Sequence, residues 1–440
     1  MVFRGQTPTE AVRAASAGRA DALPADPEQR RLRARTLASL ATVYGLPAVL
    51  QHDLLRREVW GPDASPLSTF RHERAVATPQ FAGFRVPNVD TLYSSAWVDL
   101  TGGPVDVTLP DLGGRYYTLQ LLDAFSNATN LSRRTAGDAR RFTLVPPGAT
   151  PPDDGSGRML VQVDSRVTWV LMRIQVGADD HEVVRALQDQ VALEPRGGSS
   201  IAPEAAAGDV ETEVDAFLET LDAALRLQGH PPEDDALVAQ LRSIGIAGTD
   251  PFDARLLDEA TALGVGDGFA EAMELVSANR SLLGTPTPGG WTRVADKGSH
   301  GANHLNRAIM NYVGLGANVE EENTSFNTYV DADGQPLDGR RAYEISLDAP
   351  PDCDAFWSIT LYEAATGMLY DAPDGRHGVG SASGGRGAAV SGRIVVGPDR
   401  ADGDAWLPTP PGPFFLVLRI YAPGAAVVSH AWTPPPLRAR

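Results

Sequence analysis

Four hydrogen-bonding side chains, Asn88, Asp90, Thr91 and Tyr93, stand within the seven residues Pro87-Asn-Val-Asp-Thr-Leu-Tyr93. The stretch that follows, Ser94-Ser-Ala-Trp-Val-Asp-Leu100, reads as a core-bound strand. Polar side chains pressed against such a strand form either a buried network or a site. A carboxylate beside an amide and a phenol in a partly dry pocket has a shifted pKa and can move protons. Asp90 is therefore the first acid/base candidate, with Tyr93 as helper and Asn88 holding the substrate. The plainer alternative is that Asp90 accepts backbone N–H bonds and fixes the turn.

A second constellation is His300, His304 and Arg307. Residues four apart on a helix share a face, so the two imidazoles would project together with Arg307 near them. Such imidazoles do acid/base work or ligate a metal, and Asp296 would be the third donor. No Glu follows His300 as in the zinc-protease helix, so acid/base work by His304 is preferred and no metal is expected. Arg307, with His300 and Asn303 beside it, would hold a carboxylate or phosphate of the substrate, unless it forms an ordinary salt bridge. Asp123 ends a strand and comes near Asp90 if the first and third strands pair. Two carboxylates across a cleft suit glycosidic hydrolysis or elimination. Trp357 and Tyr362, with Trp406, would stack on a sugar or line an apolar pocket, unless they pack between sheets.

The elements that must position these residues follow from periodicity and punctuation. Thr7-Pro8-Thr9-Glu10 starts a short helix, and a second runs from about Arg31 toward Trp60 with a break at Pro47. From Phe84 the period becomes two, giving strands at 92–100, 104–109, 115–123, 158–164 and 167–176, then a helix ending near Gln190. Residues 195–208 read as a crossing rich in Gly, Ser and Ala, and 209–283 as helical segments. Strands return near 341–347, 355–363, 392–397 and 414–421, with a Gly/Ser/Ala-rich loop at 377–391. Asp331-Ala-Asp-Gly334 starts like a calcium loop but lacks the terminal Glu and reads as a turn.

Composition excludes several functions. The net charge of −18 repels phosphate backbones and anionic membranes, so neither nucleic acid nor membrane is expected as a partner. Gly (44) and Pro (34) favour a strand-rich fold with many turns. Cys353 stands alone, which rules out an intrachain disulfide and Cys-based zinc sites, and no basic neighbour activates it. The N-terminus lacks the apolar run of a signal peptide and no stretch approaches a membrane span, so a cytoplasmic location is expected. No phosphate-cradling glycine loop, dinucleotide fingerprint or nucleophile elbow is present; Gly380-Ser-Ala-Ser-Gly384 mimics the last without a helix after it.

Five segments in order carry a family resemblance: Pro87–Ser94, Gly113-Gly-Arg-Tyr-Tyr117, Gly314-Leu-Gly-Ala-Asn318, Phe356-Trp-Ser-Ile-Thr-Leu-Tyr362 and Trp406-Leu-Pro-Thr-Pro-Pro-Gly412. The chain resembles bacterial proteins that pair domain-of-unknown-function families 1254 and 1214. The resemblance implies two β-sandwich or jelly-roll domains joined by helices and brings no agreed activity. It departs from the family pattern at His300-Gly-Ala-Asn-His304, where relatives often carry Tyr-Gly-x-Asp-Tyr, and at Gly375-Arg-His-Gly-Val-Gly380.

The expected fold is mainly β with helical additions. It comprises N-terminal helices (1–70), a first antiparallel β-sandwich with a closing helix (71–194), a helical linker (195–318) and a second, jelly-roll-like sandwich (319–440). The expected function is an enzyme independent of organic cofactors that acts on a small molecule by hydrolysis, elimination or cyclisation. Its pocket would lie between the first β domain and the His300–Arg307 helix. The alternative is a non-catalytic protein binding a glycan or another small ligand, and a homo-oligomer stays open.

Overall fold

The computed structural model of the protein describes residues 24–153, 155–372, 374–381, 392–400 and 405–440. The helix expected at Thr7 and most of the 377–391 loop lie outside the described residues.

The fold is mainly β with several helices, and its sheets are largely antiparallel. The first β unit holds a five-stranded and a four-stranded sheet. In the larger one, Val167–Gln175 lies between Thr91–Asp99 and Tyr117–Leu122 and pairs with both. The two sheets share one core, to which Leu92, Ala96 and Val98 contribute from one sheet and Val105, Phe142 and Leu144 from the other. The opposite face of Thr91–Asp99 is covered too: Tyr93 and Trp97 pack with Leu54 and Leu55 of the long N-terminal helix. That double coverage explains why burial along this strand does not alternate.

The second β unit is built likewise. A six-stranded sheet centres on Phe414–Pro423, between Asn323–Thr328 and Cys353–Glu363. It shares a core with a four-stranded sheet containing Tyr343–Leu347 and Gly392–Gly397.

Helices Pro27–Trp60, Val214–Gln228, Glu259–Ala278 and His304–Val313 share a further core. The first is capped by Asp26, whose carboxylate accepts from the Glu28 N–H at 2.9 Å, and it runs 34 residues without a break. The break expected at Pro47 does not occur. Residues 44–49 are all buried among neighbouring helices, and that packing outweighs the one lost backbone bond. Gly264 and Gly268 let the Glu259–Ala278 helix approach closely, since a Cβ there would meet the carbonyl oxygens of Arg31 and Arg35 at 2.2 and 2.1 Å. Among the described residues no helix is long and apolar enough to cross a membrane.

Candidate functional site

The polar cluster at 87–93 sits where the two β units meet. The Asn88 side-chain oxygen accepts from the N–H groups of Asp90 (2.9 Å) and Thr91 (3.0 Å) and from the Thr91 hydroxyl, which fixes the turn into the strand. The Asn88 backbone N–H and its Nδ2 both donate to the Tyr93 hydroxyl, at 2.9 and 2.7 Å. With both bonds received, that hydroxyl keeps its own proton to donate.

Asp90 reaches across to the second unit, where the Ser358 hydroxyl donates to its carboxylate at 2.5 Å. Burial pushes the carboxyl up to about 6, opposed by the Ser358 bond and by Arg419. Two further bonds join the units here: the Tyr362 hydroxyl donates to Pro87 O at 2.6 Å, and Arg419 donates to Val86 O at 2.8 Å. The turn is fixed by Asn88 rather than by Asp90, whose carboxylate lies in the seam and accepts from Ser358.

Behind this seam lies a cavity of about 80 Å³, lined among others by Asn88, Tyr93, Arg173, Lys297, Arg419 and Tyr421. One water needs about 10–15 Å³ by this measure, so the cavity admits several waters or a small organic ion. Three of its walls are basic side chains that are almost wholly buried: Arg173 is 5 %, Lys297 3 % and Arg419 8 % exposed. All their hydrogen bonds go to neutral oxygens. Arg173 donates to Gln120 Oε1 (2.5 Å) and to Gly316 O (2.7 Å). Lys297 donates to Asn323 Oδ1 (2.7 Å) and Ser325 Oγ (2.6 Å), and Arg419 donates to the Tyr362 hydroxyl (2.9 Å). Among the described residues none of the three forms an ion pair with a carboxylate. Glu320, the acidic group that most favours a charged Lys297, is already paired with Arg293 at 2.5 Å.

Charge decides between this cavity and a larger cleft of about 390 Å³ on the other side of Phe84 and Tyr93. The cations of that cleft, Arg57 and Arg71, are each paired with an acidic neighbour, Asp53 and Glu73.

The loop Gly314-Leu-Gly-Ala-Asn318 forms the cavity's third side. Gly316 has φ +75°, and a Cβ on it would lie 3.1 Å from the Trp169 ring. Only glycine fits this backbone and this approach, which bring the Gly316 carbonyl to Arg173 and the Ala317 carbonyl to Gln120 Nε2 at 2.6 Å.

Residues 67–195 match the family model described as protein of unknown function DUF1254, and residues 322–425 match that of DUF1214. The chain pairs these two families. The crystal structure of the VPA0106 protein from Vibrio parahaemolyticus matches 92 % of this chain and 100 % of its own, with a TM-score of 0.65 at 22 % identity, a likeness of fold. A crystal structure of an uncharacterized protein from Burkholderia cenocepacia matches 98 % of this chain and 93 % of its own at TM-score 0.45 and 14 % identity. No curated protein matches the chain. Asn88, Tyr93 and Arg173 come from the DUF1254 region and Arg419 and Tyr421 from the DUF1214 region. Lys297 and the 314–318 loop come from the segment between them.

The other residues singled out in the sequence lie elsewhere. Asp123 does not approach Asp90. The Thr91–Asp99 and Tyr117–Leu122 strands do not pair, because Val167–Gln175 separates them. Thr91 is level with Gln175 and Leu122 with Trp169, so the two carboxylates sit near opposite ends of that strand, roughly 25 Å apart at about 3.3 Å per residue. Asp123 instead accepts from the N–H groups of Phe125 and Asn127, each at 2.8 Å, and lies close to Arg307.

His300 and His304 do not share a helical face. Asn303 caps the helix, accepting from the Asn306 N–H at 3.2 Å, so the helix starts at His304 and His300 lies in the turn before it. Asp296 accepts from Asn306 Nδ2 at 2.7 Å. Burial pushes His300 down to about 4, and its Nδ1 finds no partner. His304 Nε2 faces Asp234 at 3.8 Å. Arg307 is buried under the rings of Tyr44 and Phe125, 5.5 and 5.0 Å from their centroids. Among the described residues no group of three or more His, Cys, Asp or Glu could hold a metal ion. The DUF1254–DUF1214 cavity borders the C-terminal end of this helix at Met310 and Val313, away from His304 and Arg307.

Trp357 and Tyr362 are buried and offer no platform for a sugar ring. Cys353 opens its strand, and burial with the flanking Asp352 and Asp354 pushes its thiol up to about 11.

Arg173, Lys297 and Arg419 escaped the reading from sequence. Arg173 and Arg419 sit inside apolar strands, where a lone arginine carries little pattern. Lys297 had a plain signal: of the chain's 38 Lys and Arg residues it is the only lysine.

Proposed function

We propose that the protein binds a small organic anion in the cavity between its two β units and converts it by acid/base chemistry without an organic cofactor. The observation that carries this reading is the presence of two buried guanidinium groups and a buried amine around one cavity, none of them ion-paired with a carboxylate among the described residues. Burying unpaired charge is expensive, and a bound carboxylate or phosphate would relieve that expense. Arg173 and Arg419 present guanidinium groups, which match a carboxylate in plane. Tyr93 offers an O–H, and Asp90, one layer behind beside Tyr421 and Arg419, holds or releases a proton near neutral pH. Each β unit, with two sheets on one core, supports the sandwich reading of jelly-roll type.

The test is a thermal-unfolding screen with small mono- and dicarboxylates and inorganic phosphate, against the corresponding neutral amides. An anion that occupies the site at a hundred times its Kd stabilises the fold by about 2.7 kcal/mol. We expect stabilisation by anions only, lost in Arg419→Met. If no small anion raises the wild-type transition, the reading fails. Binding with no turnover of any bound acid would leave a non-catalytic ligand-binding protein.

A further inference from the structure

We propose that Lys297 is a nucleophilic amine, one that forms an imine with the carbonyl carbon of a small oxo acid whose carboxylate is held by Arg173 and Arg419. The inference rests on the anion-binding reading above and adds the ligand's second functional group.

The first support is usage. At 37 of its 38 Lys and Arg positions the chain carries arginine, and its one lysine is 3 % exposed and lines the cavity. A guanidinium serves well wherever only charge or hydrogen bonds are needed, yet it does not lose its proton in proteins. A primary amine does lose it, and then becomes a nucleophile. The only amine side chain thus stands beside two guanidinium groups that form no ion pair among the described residues.

The second support is the geometry around the nitrogen. A neutral amine has two N–H groups and one lone pair. Nζ donates to Asn323 Oδ1 at 2.7 Å and to Ser325 Oγ at 2.6 Å, which uses both N–H groups. The Asn323 amide is itself fixed, since its Nδ2 donates to Ile420 O at 3.4 Å and its Oδ1 accepts from the Ser325 hydroxyl at 3.0 Å. The lone pair is what remains for the cavity. The backbone is anchored as well: the next residue's carbonyl, Gly298 O, accepts from Ala128 N in the first β unit at 2.8 Å.

The electrostatics point the same way. Burial lowers the pKa of Lys297 well below that of an ordinary lysine, and Arg419, Arg173 and Arg293 add to the effect while Glu320 opposes it. Such a shift favours the neutral amine, the form that adds to a carbonyl.

The chemistry balances without an oxidant or reductant. The nitrogen lone pair adds to the carbonyl carbon, and the carbon–oxygen π pair moves onto oxygen. One N–H proton is transferred to that oxygen, giving a carbinolamine. The second N–H proton then goes to the same oxygen, which leaves as water while the nitrogen closes the C=N bond. Tyr93, a cavity wall with a proton to offer, is placed to pass protons to the departing oxygen, retaking one from nitrogen.

The test uses the full chain and three probes: glyoxylate, pyruvate and acetoacetate, each with sodium cyanoborohydride. We expect one reduced adduct per chain with at least one probe, mapped to Lys297 by peptide mass spectrometry. Excess inorganic phosphate should lower its yield at least several-fold. Lys297→Arg should give no such adduct. If that variant does not fold, mapping on the wild-type chain decides alone, since the N-terminal amine is the one other primary amine and falls in a different peptide. Thermal stabilisation by the same acids without reductant is measured in parallel. Stabilisation with no adduct at Lys297 overturns the imine and leaves the anion site standing. An adduct confined to the N-terminus, or one at Lys297 indifferent to phosphate, overturns the imine in this cavity. No stabilisation by any anion and no adduct overturns both readings.

Discussion

The Ser358 hydroxyl donates to the Asp90 carboxylate at 2.5 Å, and the bond joins residues 268 positions apart, one in each β unit. It places a buried ionisable group in the seam beside the cavity. The consequences of that placement can be measured.

Asp90 gives the fold a pH dependence. Its carboxyl is pushed up to about 6 in the folded chain, whereas an unfolded Asp titrates near 3.9. Between those values the folded chain holds a proton that the unfolded chain has lost. Stability from this group is therefore fully present below about pH 4, falls as pH rises toward 6, and is level above it. About two units correspond to a loss of at most about 3 kcal/mol. Urea unfolding from pH 4 to 7 should show a slope in the wild-type chain that is reduced by about that amount in Asp90→Asn. Equal slopes in both would mean that Asp90 is ionised in the fold throughout.

Arg419 ties the units together and faces the cavity. Arg419→Met removes bonds to Val86 O and to the Tyr362 hydroxyl and leaves a buried carbonyl without its donor. Bonds from charged donors contribute about 1.5–3 kcal/mol each, so a loss of about 3 kcal/mol in urea unfolding is expected. Stabilisation by phosphate should disappear in the same variant. Arg419→Lys keeps a charge without the fork, and should recover part of the anion response but not the full stability.

Gly316→Ala tests the loop that closes the cavity. A residue with a Cβ is strained at φ +75°, and the Trp169 ring stands 3.1 Å away. The expected loss is about 1–3 kcal/mol in chemical unfolding. The anion response should weaken as well, because a displaced loop no longer positions Arg173 through the Gly316 carbonyl.

Local pattern made the longest strands and the longer helices legible, while short strands such as Arg141–Val145 and Ala128–Leu131 left no signal that was read. Thr91–Asp99 and Phe414–Pro423 announce themselves by apolar content, and the 87–93 motif by its density of polar groups. Three things were not legible, each for a physical reason. Pro47 reads as a break because its missing N–H is a local property, while the packing that keeps the helix intact is not. His300 and His304 read as one helical face because spacing alone does not show that Asn303 caps between them. Asp123 reads as a partner of Asp90 because strand order in a sheet is non-local: Val167–Gln175, far along the chain, takes the place between their strands. The cavity itself is made by three distant segments, and of its basic side chains only the single lysine carried a signal in composition.

Two buried arginines, Arg307 and Arg419, should respond oppositely to loss of charge. Arg307 is 2 % exposed, the one hydrogen bond of its guanidinium among the described residues is a 3.5 Å contact to Tyr44 O, and its Nε finds no partner. Burial lowers its pKa, with Tyr44, Asp123 and Asp234 opposing. Asp123, the carboxylate near it, is already satisfied by Phe125 N–H and by Asn127 N–H and Nδ2. Replacing such a charge by a well-packed apolar side chain is often neutral or stabilising. Arg307→Met should therefore change stability by no more than about 1 kcal/mol, keeping its contact with the Tyr44 and Phe125 rings, and should leave the anion response at wild-type strength. Thermal unfolding of Arg307→Met and Arg419→Met side by side, with and without phosphate, checks this. An anion response lost in Arg307→Met and kept in Arg419→Met would move the ligand site from the seam between the β units to the start of the His304–Val313 helix.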